Sequence, residues 1–297
     1  MGDTTNFEHK GRVIRAEIQT TATPEQAWEA WADPEKIAQW FVDRATGEAK
    51  PGGTMTWFFD KFGYVLPYKI VDAVPGKLIV FKWEAAEGNP GILEVRIARA
   101  GGATTVQLIN SGFREDAAWD EEYEGVASGW KTALGILKFY LENYFAHKKT
   151  TIFVFQPAKF SYEELVPYFL KPAKLALWLT TAGAIGKAGD GCELQVRDAG
   201  KLTGRVLAIT DREVTLSWDE IGGVLELKAF SMGPQRVACV RVMSWRLNAE
   251  EAAALEQKMI RALGRLAALF PVGAAGGDTS LSADSQAKQK SPFKQRS

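Results

Sequence analysis

The sequence predicts an α+β protein made of two copies of one domain, each a curved antiparallel sheet wrapped around a long C-terminal helix. Three observations predict it. Across residues 117–144, Trp119, Tyr123, Val126, Trp130, Ala133, Leu134, Leu137, Leu141 and Tyr144 recur at three- and four-residue steps, which puts them on one stripe of a helix. A run of segments that alternate apolar and polar side chains precedes this helix, as half-buried strands do. The same order of caps, prolines and tryptophans then returns: Thr23 and Ser161, Pro34 and Pro172, Trp40 and Trp178, and Gly53 and Gly191 each lie 138 residues apart.

In chain order, the polar residues 1–10 read as a frayed end, His9 among them, and residues 12–21 alternate as a first strand. Thr23-Pro24-Glu25-Gln26 starts a helix, with Thr23 as cap, Pro24 in the first turn and Gln26 reaching back. Asp33-Pro34 stops it and caps a second short helix that carries Ile37, Trp40 and Phe41 inward. After the turn at Lys50-Pro51-Gly52-Gly53, the alternating sets predict five or six strands: Met55, Trp57 and Phe59; Tyr64, Leu66, Tyr68 and Ile70; Ile79, Phe81 and Trp83; Leu93, Val95 and Ile97; Val106 and Leu108. Asn110 falls at the end of its strand in this reading, and Asp72 in a turn. On the long helix, Asp120, Glu124, Lys131, Lys138 and Glu142 take the polar side, while Phe139 interrupts that side and predicts a packed outer face.

The second copy repeats the plan. Ser161-Tyr162-Glu163-Glu164 is a capping box and Lys171-Pro172 opens a short helix bearing Trp178. Strands are expected near 193–197, 202–209, 213–218, 224–230 and 237–245. Asn248, with Glu251 three residues on, caps a last helix with Leu255, Met259, Ala262, Leu263, Leu266 and Phe270. The expected limits are 11–147 and 150–271, with the Gly/Ala/Ser/Lys/Gln-rich stretch 272–297 a disordered tail.

At this point the residues carry a likeness. Thr23-Pro24-Glu25, Asp33-Pro34-Glu35, Trp40, Pro51-Gly52-Gly53, Trp57 and Gly129-Trp130 resemble the SRPBCC (START-like, helix-grip) superfamily, and within it the group named for the activator of a heat-shock chaperone ATPase. The likeness is strong over residues 12–145 and weak over 150–270, where Ser161-Tyr162 replaces Thr-Pro and Gly189-Asp190-Gly191 replaces the Pro-Gly-Gly turn. The resemblance implies a sheet around the long helix and an apolar cavity between them. Such folds host lipid carriers, cyclases, hormone receptors and co-chaperones, so it leaves the function open.

The 36 Lys and Arg against 36 Asp and Glu give net charge zero, which offers no basic excess for nucleic acid. No apolar run has membrane-spanning length, the first residues lack a signal-peptide core, and two isolated cysteines, Cys192 and Cys239, suit a cytoplasmic setting. With His9 and His147 as the two histidines, no catalytic triad, metal site or cofactor is expected. Thr181–Lys187 looks like a phosphate loop but has Thr181 for the first glycine and Ala188 for the magnesium-binding hydroxyl, so it reads as an ordinary loop.

What remains is aromatic lining. Trp57, Tyr68, Phe81, Trp83, Tyr123 and Trp130 are the candidate ligand-binding residues, pointing between sheet and helix. They either fill that space as a core or line a pocket. The first reading of function is non-enzymatic binding of an apolar small molecule in the first domain. A chaperone protein as partner is the alternative implied by the resemblance, together with a stress-response setting. A cyclase-type enzyme is the third, and the sequence offers no obvious acid or base for it.

Overall fold

The computed structural model describes residues 9–84, 90–157, 159–232 and 235–270. The expected tail at 272–297 lies outside the described residues. The chain forms two compact units, the first ending at Ala127 and the second starting at Ser128.

The first sheet is built from β1 (Arg12–Thr20), β2 (Arg44–Gly47), β3 (Thr54–Phe59), β4 (Tyr64–Val74), β5 (Leu78–Glu84), β6 (Pro90–Ala100) and β7 (Ala103–Phe113). It is seven-stranded and antiparallel, in the order β1-β7-β6-β5-β4-β3-β2. Between β1 and β2 stand α1 (Pro24–Ala32) and α2 (Pro34–Ile37). Thr23 and Gln26 form the capping box reciprocally, and Asp33 accepts from the Glu35 and Lys36 amides, so both starts sit where the sequence puts them. Trp31 and Trp40 meet edge-on at 4.9 Å, and the Trp40 indole donates to the Ala30 carbonyl at 2.8 Å.

The second sheet repeats this order with β8 (Thr150–Pro157), β9 (Thr180–Ala184), β10 (Gly191–Val196), β11 (Gly200–Ile209), β12 (Glu213–Trp218), β13 (Gly223–Met232) and β14 (Gln235–Ser244), arranged β8-β14-β13-β12-β11-β10-β9. Its helices α4 (Tyr162–Leu170) and α5 (Pro172–Leu175) match α1 and α2. The Trp178 indole donates to the Tyr168 carbonyl at 2.9 Å, which is the Trp40–Ala30 bond one repeat later. The helix α6 (Ala249–Ala268) packs along β8 and β14 and buries Ala252, Leu255, Met259, Ala262, Leu263 and Leu266.

Two strands escape the sequence reading. β2 and β9 are sheet edges with little burial, so neither carries the alternation that marks a strand with one covered face. The phosphate-loop look-alike is therefore mostly strand: Thr180–Ala184 pairs with β10, with no helix following it. Asn110 is likewise not at a strand end, because β7 runs on to Phe113.

The long helix is α3 (Asp120–Asn143), and the unit boundary falls inside it. Asp120, Glu124, Lys131, Lys138 and Glu142 are exposed, as their spacing predicts. A second stripe, Ser128, Thr132, Ile136 and Tyr140, is also buried, at strict four-residue steps. This stripe meets the second sheet. Ser128 Oγ lies 2.6 Å from Thr210 Oγ1, and the Leu207 carbonyl oxygen would stand 3.3 Å from a Cβ on Gly135. The rings of Phe139, Tyr140 and Tyr144 gather on Trp245 at 5.8, 5.9 and 5.1 Å. Phe139 on the polar side thus has its packing partner.

Candidate functional site

The first sheet brings four of the six candidate residues together. Alternation puts Met55 and Trp57 on one face of β3, and the register sets Tyr68 opposite Met55 and Leu66 opposite Trp57. One strand on, Phe81 pairs with Ile70 on one side and Leu93 on the other, and Trp83 pairs with Gly91. Trp57 is the hub, its ring 4.4 Å from Tyr68, 5.1 Å from Phe81 and 5.5 Å from Phe41. Tyr68 continues to Trp83 at 5.9 Å. These contacts are tilted or edge-on, the arrangement that ring quadrupoles favour.

Trp83 is held by an absence. A Cβ on Gly91 would stand 2.0 Å from two indole carbons, so the indole lies flat over the β6 backbone where a side chain would be. Trp83 remains half-buried, whereas Trp57 and Phe81 are sealed in. The cluster therefore runs from the interior to the surface.

The other two candidates are on α3. Tyr123 donates to the Val13 carbonyl at 3.1 Å, meets Phe113 at 5.4 Å, and carries the Arg12 guanidinium 4.6 Å over its ring. These contacts hold the start of α3 to β1 and β7, away from the four rings. Trp130 is buried on α3.

Three polar features escaped the sequence reading. Trp57 Nε1 is buried and has no hydrogen-bond partner. Burial pushes the Glu122 carboxyl up to about 7. The signal for it was available, since Glu122 precedes Val126 by four residues and so joins the apolar stripe. The third is His9, which is not frayed. Its Nδ1 lies 3.0 Å from Ser111 Oγ and its Nε2 lies 3.0 Å from Glu94 Oε2, while Arg96 Nε donates to Glu94 Oε1 at 2.5 Å. A Ser–His–Glu chain suggests acyl transfer. However, Ser111 is 1% exposed and paired to β1 and β6 on both sides, so its hydroxyl is closed to a substrate. The arrangement latches the arm before β1 onto the outer face of the sheet.

Both cysteines are buried and unpaired. Burial, with Asp219 and Glu220 nearby, pushes the Cys192 thiol up to about 11, and burial raises the Cys239 thiol further. Among the described residues no group of three His, Cys, Asp or Glu side chains is placed to hold a metal ion, and no helix is long and apolar enough to cross a membrane.

Residues 21–142 match the family described as Activator of Hsp90 ATPase homolog 1-like protein, which spans α1 to the end of α3. That match falls on the sheet and helices just described, and the same topology follows in the second sheet. The two seven-stranded sheets with their helices make a two-domain α+β helix-grip fold, and residues 21–142 carry the family match. Among solved structures, it is similar to DynU16, a putative protein in the dynemicin biosynthetic locus, at 18% identity over 88% of this chain and 99% of that one, with TM-score 0.40. The di-domain ARO/CYC BexL from the BE-7585A biosynthetic pathway shares 11% identity over 86% of this helix-grip chain and 97% of its own, with TM-score 0.42. The Aha1 dimer from Colwellia psychrerythraea matches 44% of this chain and 97% of its own at 18% identity, with TM-score 0.40. No curated protein matches the chain.

Proposed function

We propose that the first helix-grip domain binds an apolar, ring-containing small molecule against Trp57, Tyr68, Phe81 and Trp83, without catalysing its conversion. The observation that carries this is the ring path from sealed Trp57 through Tyr68 to half-buried Trp83. A ligand that covers about 200 Å² gains roughly 5 kcal/mol from burial before association costs, so micromolar affinity is the expected ceiling. Titrating the full chain with a hydrophobic dye should quench tryptophan emission saturably, and Trp83→Ala should weaken binding about tenfold. Linear, unsaturable quenching would sink the proposal.

Two other readings have an observation each. The family description at residues 21–142 favours a chaperone partner, which would show as stimulated ATPase turnover when the chain is added to a chaperone of that class. Glu122, with its carboxyl raised to about 7, supplies a titratable acid for a cyclase-type reaction. Domain limits of 11–147 and 150–271 belong to the same proposal, and limited proteolysis should release two resistant fragments of similar size. So does a cytoplasmic setting, which the unpaired Cys192 and Cys239 support.

A further inference from the structure

We propose that the ligand of the first domain is an uncharged planar ring system bearing a carbonyl-type oxygen, and that this oxygen accepts a hydrogen bond from the Trp57 indole. The inference rests on the reading of the four-ring cluster as a binding surface, and it adds the chemistry that the surface selects.

An indole N–H donates and never accepts, so a buried one needs an acceptor brought to it. Four other indoles have one, while Trp31 Nε1, like that of Trp57, is buried without one. Trp28 donates to the Leu78 carbonyl, Trp40 to Ala30, Trp178 to Tyr168 and Trp218 to Lys201, all within 2.8–3.1 Å. Trp57 is 1% exposed and its Nε1 meets no acceptor. The rings in contact with it include Phe41 and Phe81, which carry no polar atom, and Tyr68. An unmet buried donor is a standing penalty that a ligand oxygen relieves.

The rest of the cluster sets the remaining features. Its walls are ring faces and edges, which suit a flat, apolar body. The rings that meet are Phe, Trp and Tyr, which offer an ionised ligand no counter-charge for the hydration it would lose. Burial keeps the Tyr68 phenol neutral as well. The second domain has no counterpart: Cys192–Gly204 and Leu194–Leu202 hold the cross-strand places of Met55–Tyr68 and Trp57–Leu66.

Fluorenone and fluorene test this, because they share a shape and differ in the carbonyl. Equilibrium dialysis with the full chain should show fluorenone bound about tenfold tighter than fluorene. In a proton–nitrogen correlation spectrum, the Trp57 indole resonance, identified as the peak lost in Trp57→Phe, should move with fluorenone and stay with fluorene. Trp57→Phe keeps a ring and removes the donor, so it should bring the two affinities together. Equal binding by the unaltered chain, with no indole shift, would overturn the acceptor inference while the ring surface stands. No binding of either compound would overturn the surface itself. An indole N–H that keeps a water cross-peak at fluorenone saturation would show the donor already satisfied, which also overturns the inference. Should Trp57→Phe not fold, the comparison in the unaltered chain still decides.

Discussion

The inner faces of the two sheets solve the same problem with different residues. Both sheets have seven strands in the same order, and each has a helix that opens on a capping box followed by a short helix that opens on a proline. The second fills its interior with Leu194, Leu202, Leu216, Leu225 and Leu227, each at most 1% exposed. The first uses Trp57, Tyr68 and Phe81, and its row ends in Trp83 at the surface. Flexible aliphatic chains interlock closely, while flat rings meet at angles and hold their shape. One repeat therefore packs its interior with aliphatic chains, and the other with rings whose row ends at half-buried Trp83.

The outer faces differ as well, and the largest expected effect lies there. Glu94 and Glu226 hold corresponding places, opposite Val80 and Ile109 in one sheet and opposite Thr215 and Arg241 in the other, and both are 0% exposed. Glu226 is paired across strands by Arg241. Arg241→Met should therefore cost about 3–5 kcal/mol in urea unfolding, because a buried carboxylate is left without its partner. Arg96→Met should cost less, since Arg96 is partly exposed and Glu94 keeps His9. Equal losses would break the comparison. Burial raises the Glu226 carboxyl, but Arg241 and Lys228 outweigh it and hold it below the ordinary glutamate value. Its stabilisation is thus present above that ordinary value and is lost as pH falls through the lower native one. Arg241→Met should flatten this acid dependence.

A paired glycine test comes next in size. Gly91 and Gly223 hold equivalent places opposite Trp83 and Trp218. A Cβ on Gly223 would stand 2.3 Å from the Met243 carbonyl oxygen, which is backbone and cannot swing away. On Gly91 it would meet the Trp83 ring, which can. Gly223→Ala should cost about 2–3 kcal/mol and Gly91→Ala about 1–2 kcal/mol by thermal unfolding. Gly91→Ala should also shift the tryptophan emission and weaken dye binding, and Gly223→Ala should do neither.

Phe139→Ser should cost about 1–2 kcal/mol, since a half-buried ring leaves Tyr144 and Trp245. No loss of melting temperature would mean that the outer face of α3 contributes nothing to the second unit. The smallest effect concerns Glu122. Its carboxyl is raised by burial to about 7, above the unfolded value, so the folded state binds the extra proton. The sign follows: stability falls as pH rises from about 4.5 towards 7 and is level above. Glu122→Gln should remove that slope, whereas a slope unchanged in the variant would place the titration elsewhere.

The helix starts were legible residue by residue, because a cap is a local device: Thr23 with Gln26, Ser161 with Glu164 and Asn248 with Glu251 each close within four residues. The inner-face rings were legible too, since alternation is local and one-sided burial enforces it. Edge strands β2 and β9 were not, because an exposed edge selects no period. The second buried stripe of α3 was hidden for a different reason. Ser128 and Thr132 look like surface residues in sequence, and become interior once they face another sheet.

By itself, then, the amino-acid order determined the repeat, the α+β class, the capped helices and which rings share a face of the first sheet. Each of these follows from spacing within a few residues or from one residue pattern met twice. Tertiary structure alone decided that Trp57, Tyr68, Phe81 and Trp83 touch while Tyr123 packs on Phe113 and Arg12, that Trp57 keeps an unmet N–H, and that His9 reaches Glu94 and Ser111. Those outcomes depend on partners many residues away, brought within a few ångströms by strand register and the turn of a helix. No local period records where such partners will be.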